Sequence, residues 1–398
     1  MFKIEGEYTS ATIFTDNIEE GALKQVYNVC NNPAFEDSNI AIMPDVHKGA
    51  GICIGFTAEL KRKIIPNVVG VDIGCGMTTT NLGQIEIDLE KLDKFINENI
   101  PSGFDGYETP QADLTKDELM VIKNLNLSKS NHRKKLGTAG GGNHFLEISV
   151  DSNGNKYLVV HSGSRNFGYK VAKHYQDKAE NLLEDKRKKE IKNKIEELKS
   201  QNKHHLIEKE LNKIRNKTPK VRKNLRYLTG KLRDEYLRDM KIAQNYAKRN
   251  RRIMSKKIIE HLGLSDKEVT IWDTIHNYIG EDNIIRKGAI SAKKGEKVLI
   301  PLNMRDGSLI CIGKGNEKWN NSAPHGAGRL MSRTQAKEEL DFDSYKESMK
   351  GIYTSSVNEN TLDEAPGAYK DYREIIKHIE DTVEIVEHIK PIYNYKES

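Results

Sequence analysis

The stretch NSAPHGAGRL at 321–330 sets His325 between a proline and a run of small residues. Pro324 fixes the backbone on one side, while Gly326, Ala327 and Gly328 strip the following turn of bulk, with Arg329 just beyond. Glycine admits backbone angles and close ligand approach that other residues resist. Two readings stand at this point: an exposed turn that carries a histidine, or a ring presented to a ligand. HSGSR at 161–165 repeats the theme of a histidine, small residues and an arginine. Arg165 and Arg329 suit forked recognition of phosphate. GTAGGGNHF at 137–145 offers successive backbone N–H groups that can cup an anion. The chain has neither a GxxxxGK-S/T phosphate loop nor a GxGxxG dinucleotide fingerprint.

A second set of residues reads as metal ligands. Asp72 and Cys75 come from VDIGCGM, His144 from GGGNHFLE, His161 from VVHSGSRN and His276 from TIHNYIG. Asp-x-x-Cys places a hard carboxylate and a soft thiolate on one turn. A thiolate can bridge two metals, and imidazoles complete sites for Mn, Fe, Co or Zn. Any one of these residues also reads as a satisfied buried ring or a small apolar cysteine. Five in glycine-flanked or strand-end settings favour a two-metal centre over a Cys-rich structural zinc.

The elements that must position these residues fall into two kinds. From 38 to 80, NIAIMPDVHKGAGICIGFTAEL and KIIPNVVGVDIGCGMTTT predict short buried strands joined by tight turns. Strands are also predicted at 145–150, 157–162 and about 296–313, with helices at 88–99 and over 366–389. Between 181 and 260 stand 26 Lys and Arg against 11 Asp and Glu, so this window is strongly basic within a chain of net charge +6. There, Leu and Ile at helical spacing predict an amphipathic helix, broken at Pro219 and followed by a second helical run over about 228–262. The segment reads either as a solvated hairpin or as a basic arm for a polyanion, and its excess charge favours the arm. The length of 398 residues alone would suggest two or three domains. With no internal repeat and no clean linker, the reading is instead one α+β body over 1–398 with a basic helical insertion at 180–262. Hydrophobic residues at 36% and charged residues at 31% describe a polar, soluble chain without a membrane span or secretion signal. The scattered Cys30, Cys53, Cys75 and Cys311 fit a reducing, cytoplasmic setting.

Taken in order, MPDVHKGAGICIG, VGVDIGCGM, GTAGGGNHFLEI, VVHSGSRNFG, YLRDMKIAQNYAKRNR, GKGNEKWNNSAPHGAGRLMSR and EAPGAYKD resemble the RtcB family of RNA ligases. The resemblance runs from about residue 38 to the C-terminus and is weakest over 180–225. It implies an α+β fold proper to that family and a ligase that depends on GTP and two Mn²⁺. The enzyme would join RNA 3′-phosphate or 2′,3′-cyclic phosphate ends to 5′-hydroxyl ends, in RNA repair or tRNA splicing, as a monomer with or without a helper protein.

Carried over residue by residue, the resemblance makes His325 the nucleophile that holds GMP. Asp72, Cys75, His144, His161 and His276 become the metal ligands, with Cys75 bridging. Asn143, Glu147, Asn303, Ser308, Ala327, Gly328, Tyr369 and Lys396 fall on GTP-binding positions. Asp45 is expected to act at the RNA 5′-hydroxyl with His47 nearby, and Arg165 and Arg329 to hold RNA phosphates. One departure is the loop PLNMRDGS at 301–308, where many members carry PGSMG. A metal-dependent cyclic phosphodiesterase would need the Asp/Cys/His set alone. A non-catalytic RNA-binding relative would need only the basic arm.

Overall fold

The computed structural model describes residues 1–217 and 221–397, so the break expected at Pro219 lies outside the described residues. Two large sheets carry the fold. A seven-stranded sheet runs in the order Lys297–Asn303, Gly307–Gly313, Val383–Tyr395, Phe145–Val150, Lys156–Ser162, Gly76–Gly83, Thr270–Ile275. All of its neighbouring pairs are antiparallel. A mixed six-stranded sheet runs Phe2–Glu5, Ser10–Ile13, Ile40–His47, Ile54–Glu59, Ile284–Lys287, Asn277–Ile279. Its Ser10–Ile13 and Ile40–His47 strands are parallel. A small ribbon pairs Ala289–Ser291 with Ser322–Pro324 and so sets the entry to the His325 turn.

The buried runs predicted from β-branched residues at 38–80, 145–150 and 157–162 are strands of these sheets, and the body is α+β as expected. The helix at Leu89–Asn99 is present, capped by Asp88. Over 366–389 the expectation is only partly met. A helix occupies Tyr372–Ile379, but the chain then turns into the strand Val383–Tyr395. The Glu, Lys and His of EIVEHIK suit an exposed helix by propensity. What decides the outcome is cross-strand pairing on both sides, with Gly307–Gly313 and with Phe145–Val150.

The basic segment also divides differently from the expected 180–262 insertion. One helix spans Arg165–Ser200, a second Ile207–Lys217 and a third Gly230–His261. The third is no arm. It buries Tyr236, Met240, Ala243 and Tyr246 in the larger hydrophobic cluster, and Met254, Ile258 and Ile259 in a second one. The first helix buries Phe167, Val171, Tyr175 and Ala179 near its start. From 184 to 197 its described side chains are exposed or half-buried. Only this outer part and the Ile207–Lys217 helix project.

Candidate active site

Four neighbouring strands of the seven-stranded sheet deliver the expected ligands to one end. Cys75 directly precedes Gly76–Gly83, His144 precedes Phe145–Val150, His161 lies within Lys156–Ser162, and His276 follows Thr270–Ile275. The pairings Phe145↔His161, Met77↔His161 and Gly76↔Ile275 bring these ends level. Asp72 reaches in from the preceding loop, with room left by Gly163, where a Cβ would collide with its carboxylate.

The donor atoms converge. Cys75 Sγ lies 3.4 Å from His144 Nε2 and 3.3 Å from His161 Nε2. Asp72 Oδ2 is 2.9 Å from His144 Nε2, and the Nε2 atoms of His161 and His276 are 3.0 Å apart. Two trios result, Asp72–Cys75–His144 and Cys75–His161–His276, and they share the thiol. Nδ1 of His144 and of His161 donates to the carbonyls of Ala139 and Asn143, which turns each Nε2 lone pair toward the cluster. Burial holds His161 and His276 well below the usual imidazole range, so both rings are neutral donors. Burial, aided by the Asp72 charge, pushes the Cys75 thiol well up. Burial opposes ionisation of Asp72 as well, but the bond to His144 outweighs it and brings the carboxyl to about 2. An anionic carboxylate, three imidazoles and a shared thiol suit a pair of borderline divalent cations, whose charge would offset the cost of a buried thiolate.

His325 sits against this cluster, its ring centroid 4.9 Å from that of His276. Its Nδ1 donates to Asp45 Oδ2 at 2.7 Å, and its backbone N–H donates to the same oxygen at 3.1 Å. Asp45 is wholly buried. Its carboxylate keeps the proton on Nδ1, so Nε2 presents a lone pair. Gly328, at φ 77°, lets the turn press against this strand, since a Cβ there would stand 2.6 Å from the Asp45 carbonyl oxygen. The sequence expectation set Asp45 at the RNA 5′-hydroxyl; the structure places its wholly buried carboxylate against His325, where it can orient that ring.

A cavity of about 320 Å³ opens from His325, His161 and His276 toward Asn143, Glu147, Ser308, Tyr369 and Lys396. Asn303, Ala327, Gly328 and Arg329 line it too. The Asn303 side chain is committed to its own turn, accepting from the backbone of Arg305 and Asp306 and donating to the Asp306 carboxylate. Glu147 is buried, and burial lifts its carboxyl to about 7 against the Ser149 hydrogen bond and the Lys396 charge. Arg165 lies outside the lining, bonded to the Gly103 carbonyl and the Thr138 hydroxyl. Arg329 is held by Glu364, the Tyr369 hydroxyl and the Asp363 carbonyl. It props the cavity wall.

Three residues of the cavity wall escaped the sequence reading. Glu364 accepts from Lys396 Nζ at 2.6 Å and from the Tyr369 hydroxyl at 2.7 Å, with Arg333 3.0 Å away. Burial works against its ionisation, but Lys396 and Arg333 bring it to about 2. Its place beside APGAYKD was a usable signal. Arg333, at the cavity mouth, follows the HGAGR turn closely enough to have been named. Asn394 lies in the strand Val383–Tyr395, beyond the 389 bound of the expected helix, and gave none.

A sequence model of the family described as "tRNA-splicing ligase RtcB" matches residues 25–127 and 123–397. The chain belongs to the RtcB family. The first matched segment holds Asp45, Asp72 and Cys75, and the second holds the remaining ligands, His325 and the cavity wall as far as Lys396. Among RtcB relatives, "RNA-splicing ligase RtcB" of Escherichia coli strain K12 is 30% identical over 93% of this chain and 92% of its own. "tRNA-splicing ligase RtcB" of Aeropyrum pernix is 27% identical over 94% and 91%. "RNA-splicing ligase RtcB homolog 2" of Entamoeba dispar is 26% identical over 93% and 82%.

Proposed function

We propose that the chain is a GTP-dependent RNA ligase joining 3′-phosphate or 2′,3′-cyclic phosphate ends to 5′-hydroxyl ends, with His325 as the guanylate carrier. The observation that carries this reading is the position of His325. Its ring is fixed by Asp45 and forms a wall shared by the Asp/Cys/His cluster and the nucleotide-sized cavity.

His325 Nε2 attacks the α-phosphorus of GTP, a P–N bond forms, and pyrophosphate leaves. The Nδ1 proton stays on the bond to Asp45, whose carboxylate stabilises the charge that develops on the ring. Glu147, Ser308, Tyr369 and Lys396 hold the base, while the Gly326–Gly328 turn leaves space for the phosphate. A cyclic end is first opened by water to a 3′-phosphate. A 3′-phosphate oxygen then attacks the guanylate phosphorus and breaks the P–N bond, giving RNA-(3′)pp(5′)G. The 5′-hydroxyl of the second RNA attacks the RNA-side phosphorus, and GMP departs. Mn²⁺ held by Asp72, Cys75 and His144, and by Cys75, His161 and His276, would supply charge neutralisation at the phosphoryl oxygens.

The test is incubation with Mn²⁺ and GTP labelled at the α-phosphate, in parallel with labelled ATP. Acid-labile, base-stable label from GTP alone, absent from His325→Ala, is the expected result. An unlabelled protein under every divalent metal would refute the reading.

A further inference from the structure

Three buried polar atoms on cavity-wall residues lack partners among the described residues: His276 Nδ1, beside the candidate metal cluster, and Ser308 Oγ and Asn394 Oδ1, each on a residue about 1% exposed. A buried hydrogen-bonding group without a partner costs stability, so its persistence points to a ligand that completes it. The orientation of the Asn394 amide is set by the fold. Nδ2 donates to the Met304 carbonyl at 2.8 Å, which leaves Oδ1 as the unpartnered end of the amide on a residue that lines the cavity. That carbonyl belongs to the turn that Asn303 closes on Arg305 and Asp306. This is the loop where the chain departs from the PGSMG pattern.

Asn394 is the cross-strand partner of Glu147. Directly opposed residues of an antiparallel pair point to the same face with their Cβ atoms about 5 Å apart. Glu147 uses Oε1 to accept from Ser149 at 2.6 Å, so Oε2 has no protein partner and can take a ligand hydrogen. The cavity thus presents two acceptors side by side, Glu147 Oε2 and Asn394 Oδ1. The Ser308 hydroxyl and the Lys396 ammonium stand in the same wall.

We infer that Asn394 is a base-specificity residue whose Oδ1 accepts a hydrogen from the exocyclic 2-amino group of guanine. The assignment rests on the guanylyltransfer reading above. Adjacent acceptors match N1–H and the 2-amino group, and the donors match O6. Adenine presents an acceptor at N1 and no 2-amino group, so it leaves both protein acceptors unsatisfied. Hypoxanthine keeps N1–H and O6 but lacks the 2-amino group, so it isolates the contact made by Asn394. A site built to bond a substrate group discriminates strongly against an analogue that lacks it, because its own polar atom is left buried and unpaired.

The experiment compares GTP with ITP in the protein-labelling reaction, for the unsubstituted chain, Asn394→Ala and Asn394→Val. The two variants guard against one of them failing to fold, which thermal melting checks. The unsubstituted chain should prefer GTP over ITP by about tenfold or more in kcat/KM. In the variants that ratio should collapse toward one, through KM for GTP rather than kcat. An unchanged ratio, or a ratio near one in the unsubstituted chain, overturns the Asn394 assignment and leaves the ligase reading standing. An unsubstituted chain that takes label from neither nucleotide overturns the ligase reading and the inference with it.

Discussion

Glu147 carries a carboxyl raised to about 7 by burial, and in the proposed site its ionised form is the stronger acceptor for a guanine N1–H. Below that value the free protein holds Glu147 protonated, and GTP must displace the proton before it can bind. Affinity for GTP should therefore rise with pH through about 7 and level off above it. Equilibrium titrations between about pH 5.5 and 8.5 would show this step, and Glu147→Gln should abolish it while weakening binding throughout. Asp45 supports a second prediction at this scale. Asp45→Ala frees the His325 tautomer and removes the acceptor for its Nδ1 proton. Single-turnover guanylylation should fall by about ten- to a hundredfold, with metal binding retained. These two residues also show where sequence reading stopped. The MPDVHKG motif advertised Asp45, but only the bond across 280 positions revealed that its partner is His325. Asn394 and Glu147 are likewise meaningful only as a register pair, and register between distant strands leaves no local mark.

At the level of elements, the strand ends bearing the candidate metal ligands were legible because glycine punctuation, apolar runs and family motifs coincide there. The strand Val383–Tyr395 was read as helix as far as 389, because its Glu and Lys outweighed the strand signal of Val383, Ile385, Val386 and Ile389 and of Pro391 beyond. The basic segment was legible in charge but not in extent. The sequence over 186–226 holds 16 Lys and Arg against 5 Asp and Glu. Lys186, Arg187, Lys189, Lys199, Lys209 and Arg222 have no carboxylate within ion-pairing distance among the described residues. The helix that begins at Arg165, just past the ligand His161, is 36 residues long and so extends about 54 Å. We propose that this hairpin contacts the body of an RNA whose broken ends lie at His325. Lys186→Glu, Lys189→Glu and Lys199→Glu together should weaken RNA binding and flatten its salt dependence by a log–log slope of up to about 3. Protein guanylylation should be unaffected. Unchanged RNA affinity at low salt would remove the hairpin from the RNA-binding surface.

Across the whole molecule, the Gly230–His261 helix is the member that joins the two larger hydrophobic clusters to the metal-ligand end of the sheet. Arg251, fully buried, donates to the carbonyls of Gly74 and Ser162, and Asn250 clasps Gly137, Thr138 and Gly163. Replacing Arg251 by Met would leave those carbonyls buried without a donor. The variant should lose about 3 kcal/mol or more of stability and bind Mn²⁺ more weakly, as chemical denaturation and metal titration would show. No helix among the described residues is long and apolar enough to cross a membrane. The strand Val383–Tyr395 has a further consequence. It fills the third position of the seven-stranded sheet and carries Asn394, with Lys396 just beyond. A polypeptide made only as far as the preceding helix has neither the third strand of that sheet nor the complete cavity wall. On the proposed function, residues through 396 must therefore be clear of the ribosomal tunnel before guanylate can be loaded.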